Sequence, residues 1–146
     1  MIQTIHVDRP HPYPPRITEF TRKFWDGLRE GRLLTTAGRR TGQAAFPPKP
    51  ISPQDWEEEV DWIELSGRGT LYSHTTIHAA PTAFVDELPY RVCIVDLDEN
   101  VRLATRYVGE TAPLVGERIE IVAVRHTDHI SYAARALEPI EVDEDQ

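Results

Sequence analysis

The chain has 146 residues, of which 40% are hydrophobic and 27% are charged, and these proportions are typical of one soluble globular domain with a short appendage. No apolar run approaches the roughly 20 residues that a membrane span needs, so we expect no membrane association. The single cysteine excludes an internal disulfide. Together with a first segment that lacks an apolar signal core, it predicts a cytoplasmic protein.

The net charge of −8 is distributed unevenly along the chain. Residues 1–50 carry nine Lys and Arg against four Asp and Glu, a balance of +5, whereas residues 51–146 carry seven against twenty, a balance of −13. The acidic part would repel a phosphate backbone, so we expect any anion-binding surface in the first third of the chain. Residues 139–146 hold several of the acids and are predicted to form a solvated acidic tail.

The first 31 residues are predicted to be an extended arm followed by a helix. Four prolines among residues 1–16 favour an extended conformation. From residue 17 to 31, aromatic and apolar side chains recur at helical spacing, and Gly31 is a candidate stop. The aromatic stripe of this helix either packs on its own domain or docks on another subunit, and the pattern leaves both interpretations open.

The next two segments differ in regularity. Residues 32–59 have no clear period and are punctuated by glycine and proline, so they are predicted to form loops, with a hairpin as the alternative for part of the segment. Residues 60–78 have the pattern of one long, bent β-strand, in which side chains of one parity share an inward face: Ile63, Leu65, Leu71 and Ile77. In its middle, the Gly67-Arg68-Gly69 run predicts a bulge or a sharp barrel corner.

The rest of the chain supplies four further predicted strands. Residues 90–97 and 101–108 form a β-hairpin pattern, and residues 118–125 and 130–137 form two more strands around a short turn. With the long first strand they predict a mainly β fold, a five-stranded OB-fold barrel. The predicted organisation is an arm and helix over 1–31, an irregular segment over 32–59, the barrel over 60–138 and the tail over 139–146.

Residues with reactive side chains do not form a convincing catalytic set. Cys93 lies in the most apolar strand, which favours a buried, inert thiol over a nucleophile. His126, Asp128 and His129 could be imagined as metal ligands, but polar residues are expected in a tight turn. We therefore expect no catalysis by this chain alone.

Four blocks of sequence stand out in order between about residues 24 and 124: FWDGLREGRLL, FPPKPISP, WIELSGRGTLYSHTTIH and ELPYRVCIVDLDENVRLATRYVG. Together they resemble a bacterial and archaeal family of zinc-ribbon/OB-fold proteins associated with acyl-CoA enzymes. In that family an N-terminal helix leads into a zinc ribbon, which is followed by an OB domain.

The resemblance also identifies a loss. The family carries zinc-binding cysteines at the positions of Gly38, Thr41, Ser52 and Asp55, with the spacing that brings two pairs of thiolates to one metal ion. None of the four is cysteine here. We therefore expect a degenerate, metal-free ribbon with no zinc and no other cofactor. Without metal the segment would be held by packing of Phe46, the two following prolines and Trp56, and by contacts with the barrel or a partner, so its order is expected to depend on the partner.

What the family does implies a function for this chain. Its members bind thiolase-like enzymes, and some are similar to subunits of steroid side-chain aldolases or acyltransferases. The resemblance implies a non-catalytic accessory subunit of a thiolase-fold enzyme that acts on acyl-CoA thioesters by thiolysis, condensation or retro-aldol cleavage, for example in steroid side-chain or related lipid metabolism. It also implies a hetero-oligomer with a thiolase-like partner and acyl-CoA as a ligand.

Two sets of residues are candidates for these roles. The CoA phosphates would be bound by basic side chains of the ribbon-like segment, unless these are only solvated loop charges: Arg39, Arg40 and Lys49. The partner would be bound by apolar anchors, unless these pack on their own domain: Phe24, Trp25, Phe46, Phe84, Leu88 and Tyr90.

A single-stranded nucleic-acid binder is the alternative function for an OB barrel. Such proteins combine a basic groove with stacking aromatic side chains. Here the residues after position 50 carry a balance of −13, and few strand aromatics are expected at the surface beyond Tyr72, Tyr107 and Tyr132. We therefore expect no nucleic acid as a partner.

Overall fold

The computed structural model describes residues 1–137, in which nine β-strands, one α-helix and one 3₁₀ segment are found. In chain order they are β1 (Thr4–His6), α1 (Arg22–Arg29), β2 (Leu33–Gly38), β3 (Ala44–Ala45), β4 (Val60–Leu65), β5 (Arg68–Ile77), the 3₁₀ segment (Thr82–Glu87), β6 (Tyr90–Leu97), β7 (Arg102–Tyr107), β8 (Arg118–Arg125) and β9 (Ile130–Ala136). The predicted acidic tail over 139–146 lies outside the described residues.

Five strands close into a mixed β-barrel. Antiparallel pairing joins β5 to β6, β6 to β7, β5 to β8 and β8 to β9, and a short parallel contact between Tyr107 and Ala134 joins β7 to β9. Closure removes the exposed sheet edges that an open five-stranded sheet would present. The mainly β, OB-fold class predicted from the sequence is confirmed.

The barrel interior follows from the period-2 pattern of its strands. One parity in each strand supplies large apolar side chains that are almost completely buried: Leu71, Val95, Leu103, Ile119 and Ile121. At Gly69 the backbone of β5 approaches β6 so closely that a β-carbon would overlap the carbonyl oxygen of Asp96. Glycine at this position therefore lets the two strands pair across the strongly bent part of the barrel.

The prediction of one continuous strand over 60–78 is wrong, because the chain changes sheet at Ser66 and Gly67. Gly67 has φ +78°, a conformation that favours glycine. The Ser66 N–H and hydroxyl both bond to the carboxylate of Glu99, at 2.8 and 3.1 Å. As a result β4 pairs with β2 in a separate three-stranded sheet, of order β3-β2-β4, and only β5 belongs to the barrel.

The α-helix is shorter than predicted and packs on the barrel. It is preceded by a turn in which Thr18 and Thr21 exchange backbone-to-hydroxyl hydrogen bonds of 2.9 and 3.1 Å. It is followed by Gly31 at φ +75°, where the predicted stop lies. Phe24 and Leu28 are buried on its inner face, and a completely buried leucine contributes about 1.5–3 kcal/mol through loss of water contact.

The N-terminal arm lies along the outer face of the β8–β9 hairpin. β1 pairs in parallel with β8, and beyond it the Val7 N–H donates to the Arg125 carbonyl at 2.9 Å. Further on, the His11 N–H donates to the Asp128 carboxylate at 2.8 Å. The arm is thus an ordered addition to the barrel. Within residues 1–137, no helix is both long enough and apolar enough to cross a membrane.

Candidate functional site

The three-stranded sheet and its turns keep the layout of a ribbon site. A β-carbon built on Gly38 would lie 2.9 Å from the Ser52 hydroxyl and 3.0 Å from the Thr41 hydroxyl, so three of the four positions implied by the resemblance converge. A tight turn begins at Gly38 and another at Ser52. In the first, the Gly42 N–H donates to the Gly38 carbonyl at 2.8 Å, and in the second, the Trp56 N–H donates to the Ser52 carbonyl at 2.9 Å.

The side chains at this centre do not fit zinc. Gly38 offers no ligand atom, and Thr41 and Ser52 offer neutral hydroxyls where zinc sites use thiolates or imidazoles. Ser52 is 2% exposed, and its hydroxyl is engaged with the Gln54 side chain at 3.0 Å. The Asp55 carboxylate accepts the Glu57 N–H at 3.1 Å. Nowhere in residues 1–137 do three or more His, Cys, Asp or Glu residues form a group that could hold a metal ion.

Hydroxyl hydrogen bonds stabilise the segment that a metal would otherwise organise. The buried Thr36 hydroxyl donates to the Lys49 carbonyl at 2.7 Å and accepts the Lys49 N–H at 2.8 Å. The buried Thr35 hydroxyl donates to the Ala45 carbonyl. Phe46 packs edge-on against Phe24 at 5.7 Å between ring centroids, in line with its predicted structural role. These contacts tie the ribbon-like segment to β2 and to the helix.

Trp56 does not hold this segment, contrary to the expectation from sequence. Its side chain is 80% exposed, at a backbone φ of +61°. Ile51, in the same turn region, is 41% exposed. A solvent-exposed tryptophan on a tight turn is a feature of binding surfaces, because large aromatic side chains are frequent anchors at interfaces.

The three predicted CoA-phosphate residues lie on the ribbon-like segment with different surroundings. The Arg39 guanidinium pairs with Asp61 at 3.0 Å and Glu59 at 3.1 Å, and the hydrogen bond that it donates to Asp61 raises the Arg39 pKa. The side chains of Arg40 and Lys49 are exposed and form no ion pair with residues 1–137. The last two are therefore better placed than Arg39 to bind an external anion.

The predicted docking aromatics separate into two internal clusters. Phe24 is 4% exposed and stacks edge-on with Trp25, Phe46 and Tyr132, so the helix stripe packs on its own barrel. In the second cluster, Phe84 and Tyr90 are half-buried, with ring centroids 6.4 Å apart. Leu88 is also half-buried.

Two exposed apolar residues were not singled out from the sequence. Leu114 and Val115, in the connection between β7 and β8, are 74% and 67% exposed. No periodicity marks them, since they lie in a loop. Their exposure depends on how the loop leaves the barrel, which only the assembled structure shows.

Cys93 has the buried surroundings that the pattern favours. It lies in the barrel, and burial raises the pKa of its thiol to about 11, so it lacks the surroundings of an activated nucleophile. His126 packs beside His11 of the N-terminal arm, with ring centroids 4.7 Å apart and ring planes tilted by 59°.

The surface aromatics that a nucleic-acid binder needs are fewer than expected. Of Tyr72, Tyr107 and Tyr132, only Tyr72 is exposed, while Tyr107 is 8% exposed and Tyr132 lies in the helix cluster. The Arg102 guanidinium covers the Tyr72 ring at 3.8 Å and is paired with Asp96 at 2.7 Å. The barrel therefore presents no row of free stacking rings within the described residues.

Comparison with known proteins places these features in a family. A family model described as the C-terminal OB-fold domain of ChsH2 matches residues 62–124. A DUF35 domain-containing scaffold protein of Methanocaldococcus jannaschii is 32% identical over 88 residues, which cover 59% of this chain and 62% of that protein. A benzoylsuccinyl-CoA thiolase subunit, BbsA of Thauera aromatica, is 31% identical over 98 residues, which cover 65% of this chain and 67% of that protein.

A solved structure shares the architecture. The structure described as the Ltp2-ChsH2(DUF35) aldolase contains a chain that superposes with a TM-score of 0.71 at 25% identity, over 84% of this chain and 98% of that one. By contrast, this chain spans between 33% and 62% of the length of the first three curated relatives it matches.

Proposed function

The chain belongs to the DUF35 family of OB-fold proteins, and from that premise we propose that it is a non-catalytic accessory subunit of a thiolase-fold enzyme acting on acyl-CoA thioesters. The proposal rests mainly on the superposition with a chain of an aldolase assembly, which covers 84% of this chain. The relative named as a thiolase subunit supports the same class of partner. The reaction would be thiolysis, condensation or retro-aldol cleavage.

The chemistry would be supplied by the partner. Within residues 1–137 the one thiol is buried, with a pKa raised to about 11, and so is poorly placed to attack a thioester. The ribbon centre offers no metal that could polarise a carbonyl, because Gly38, Thr41 and Ser52 lack suitable ligand atoms. These observations favour a role in assembly or substrate positioning.

We infer that the ribbon-like segment is stable without zinc. The buried hydroxyls of Thr35 and Thr36 on β2 make hydrogen bonds to the backbone of Ala45 and Lys49, which tie the chain between the two turns to the sheet. Elemental analysis of protein purified without chelator is expected to give well under one zinc per chain. Stoichiometric zinc that survives dialysis would contradict this inference.

The partner surface is proposed to include the exposed apolar residues of the ribbon-like segment. Trp56 and Ile51 offer an aromatic and an aliphatic anchor that would become buried on association. Substitution of Trp56 by alanine is expected to weaken the complex at least about 10-fold, because truncation of a central interface tryptophan commonly costs 2 kcal/mol or more. Tyr13→Ala is the matched control, since Tyr13 is also 68% exposed but lies on the N-terminal arm.

The CoA moiety is proposed to contact Arg40 and Lys49. Both are exposed cations on the ribbon-like segment, and charge-assisted hydrogen bonds suit phosphate oxygens. An Arg40→Ala/Lys49→Ala double variant is expected to raise the KM for the acyl-CoA ester in the assembled enzyme while leaving assembly intact. Arg118→Ala is the control, because Arg118 is a barrel arginine already paired with Asp98.

The deciding experiment tests the partner and the accessory role together. The tagged chain would be purified from its native cell, and co-purifying proteins identified by mass spectrometry. A thiolase-fold protein at a stoichiometry near one, with acyl-CoA turnover that requires both chains, is the expected result. Thioester turnover by this chain alone, or a stable complex containing no thiolase-fold protein, would refute the proposal.

A further inference from the structure

A cavity of about 270 Å³ lies between the N-terminal arm, the 3₁₀ segment and the outer face of the β8–β9 hairpin. Its apolar lining includes Val7 from the arm, Val124 and Ala133 from the hairpin, and Phe84 from the 3₁₀ segment. Val7, Val124 and Ala133 belong to a small apolar cluster that is separate from the main core. The volume exceeds the roughly 150 Å³ of an apolar cavity that admits benzene, so a molecule with one aromatic ring and a short chain fits.

One polar atom in the wall of this cavity has no partner. The His126 Nε2 atom pairs with the Ser131 hydroxyl at 3.2 Å, while Nδ1 is buried and makes no hydrogen bond to any of residues 1–137. The Arg9 carbonyl lies near the ring and favours its protonated form, and the same carbonyl accepts a hydrogen bond from the Thr127 N–H at 3.1 Å. Burial lowers the His126 pKa and so favours the neutral ring. With the Ser131 hydroxyl donating to Nε2, the proton is on Nδ1, which becomes an unused donor.

The charged rim of the cavity carries an excess of positive charge. The Glu87 carboxylate, 9% exposed, is shared by Arg106 at 2.6 Å and Arg9 at 3.1 Å. Two guanidinium groups face one carboxylate, and each guanidinium has N–H donors beyond those used by Glu87. Arg106 is also held flat over the Tyr90 ring at 3.7 Å. The rim therefore presents oriented donors with a net charge of +1.

We propose that this cavity is a binding site for a small monocarboxylic acid with an aromatic or branched aliphatic body. The body would lie on the apolar wall formed by Val124 and Ala133. The carboxylate would accept hydrogen bonds from Arg106 and from the Nδ1–H of His126, which would give that nitrogen the partner it lacks among residues 1–137. The site lies outside the ribbon-like segment and does not depend on the proposed enzyme partner.

The first test uses the full wild-type chain and two matched probes at pH 7.5. Calorimetry and ¹⁵N chemical-shift mapping would compare 3-phenylpropanoate with the uncharged 3-phenylpropan-1-ol, which has the same body and no charge. We expect saturable binding of the acid at one site, with shifts in the arm and the β8–β9 hairpin, and an affinity at least about 10-fold above that of the alcohol. No saturable binding, equal affinity for the two probes, or shifts confined to another surface would overturn the proposal.

The second test uses a pair of arginines with similar surroundings on the same strand. Arg106→Gln removes a donor from the rim, while Arg102→Gln changes an arginine that is also paired with a carboxylate and stacked on a tyrosine, but outside the cavity. We expect Arg106→Gln to weaken binding of the acid about 10-fold with little effect on the alcohol, and Arg102→Gln to change neither. Equal effects of the two variants on acid binding would overturn the proposal.

A third variant tests the histidine. His126→Phe keeps an aromatic ring beside His11 but removes both nitrogens, so acid binding is expected to weaken about fivefold or more. Unchanged acid affinity would exclude His126 from the site. If a variant does not fold, as judged by its ¹⁵N spectrum, the wild-type comparison of acid with alcohol still decides the proposal.

Discussion

The ion-pair centre on Glu87 offers a quantitative test of how the arm and the 3₁₀ segment are held to the barrel. Its carboxylate is 9% exposed and bridges Arg9 on the arm to Arg106 on β7. Hydrogen bonds that involve charged groups contribute about 1.5–3 kcal/mol each. Arg9 is 54% exposed, and a glutamine at position 87 would keep one acceptor. We therefore expect Glu87→Gln to lower the free energy of unfolding by about 2–3 kcal/mol.

An exposed pair on the same barrel is the control. Asp98 and Arg118 form a bidentate pair at 2.8 and 2.9 Å, with both side chains nearly half exposed. Because such surface pairs contribute only 0–1 kcal/mol, Asp98→Asn is expected to cost less than about 1 kcal/mol.

Urea unfolding followed by tryptophan fluorescence at pH 7 would measure both variants, with unchanged m-values required for the comparison. We also expect the loss caused by Glu87→Gln to persist at high salt, since buried charges are screened less than exposed ones. Equal losses for the two variants within about 0.5 kcal/mol would refute the view that burial of Glu87 makes its pairs structurally important.

Three further predictions concern pH, backbone packing and the thiol. Burial lowers the pKa of His11 and of His126, so their contribution to stability is fully present above pH 6.5 and is lost as the pH falls below it. The ratio of the hydrogen-exchange rate of the arm to that of the barrel core is therefore expected to rise between pH 7 and 5, and a pH-independent ratio would contradict this. Gly69→Ala is expected to lower the free energy of unfolding by about 3 kcal/mol or more, because the added β-carbon would overlap the backbone of the paired strand. The control Gly116→Ala, at φ +90° in open space, is expected to lower it by about 1–2 kcal/mol. Thermal or urea unfolding would measure both, and a larger loss for Gly116→Ala would show that the strands can move apart. A disulfide reagent at pH 8 is expected to modify Cys93 only at the rate of unfolding, since the thiol is buried with a pKa of about 11, and rapid modification of the native chain would be inconsistent with that burial.

Local patterns predicted the secondary structure where one face of an element is buried. The hairpin of β6 and β7 and the strands β8 and β9 lie where alternation placed them, because a period of two follows directly from the pleat. A bend at Gly67 was predicted, but the change of sheet there was not, since the apolar parity continues through it. Leu65 and Leu71 are each 1% exposed although they belong to different sheets. Alternation reports which side chains are buried, but not which strand is the neighbour.

The ribbon-like segment shows a similar limit. The spacing of Gly38, Thr41 and Ser52 became meaningful only through the resemblance to a family, and the structure shows these three positions in contact. The hydrogen bonds that hold this segment could not be inferred from composition, because the Thr36 hydroxyl bonds to the backbone of Lys49, 13 residues away in the chain. Equally, nothing in the sequence distinguished Phe24, which is buried, from Trp56, which is exposed.

The sequence by itself determined the mainly β class, most of the strands and the buried thiol, because each depends on residue type and short-range spacing. The four non-cysteine positions were identified through the resemblance to a family. Only the tertiary structure decided the change of sheet at Gly67, the pairing of Glu87 with Arg9 and Arg106, and the cavity beneath the arm. Those features depend on residues far apart in the chain, which meet only when closure of the barrel fixes where each loop and the arm must lie.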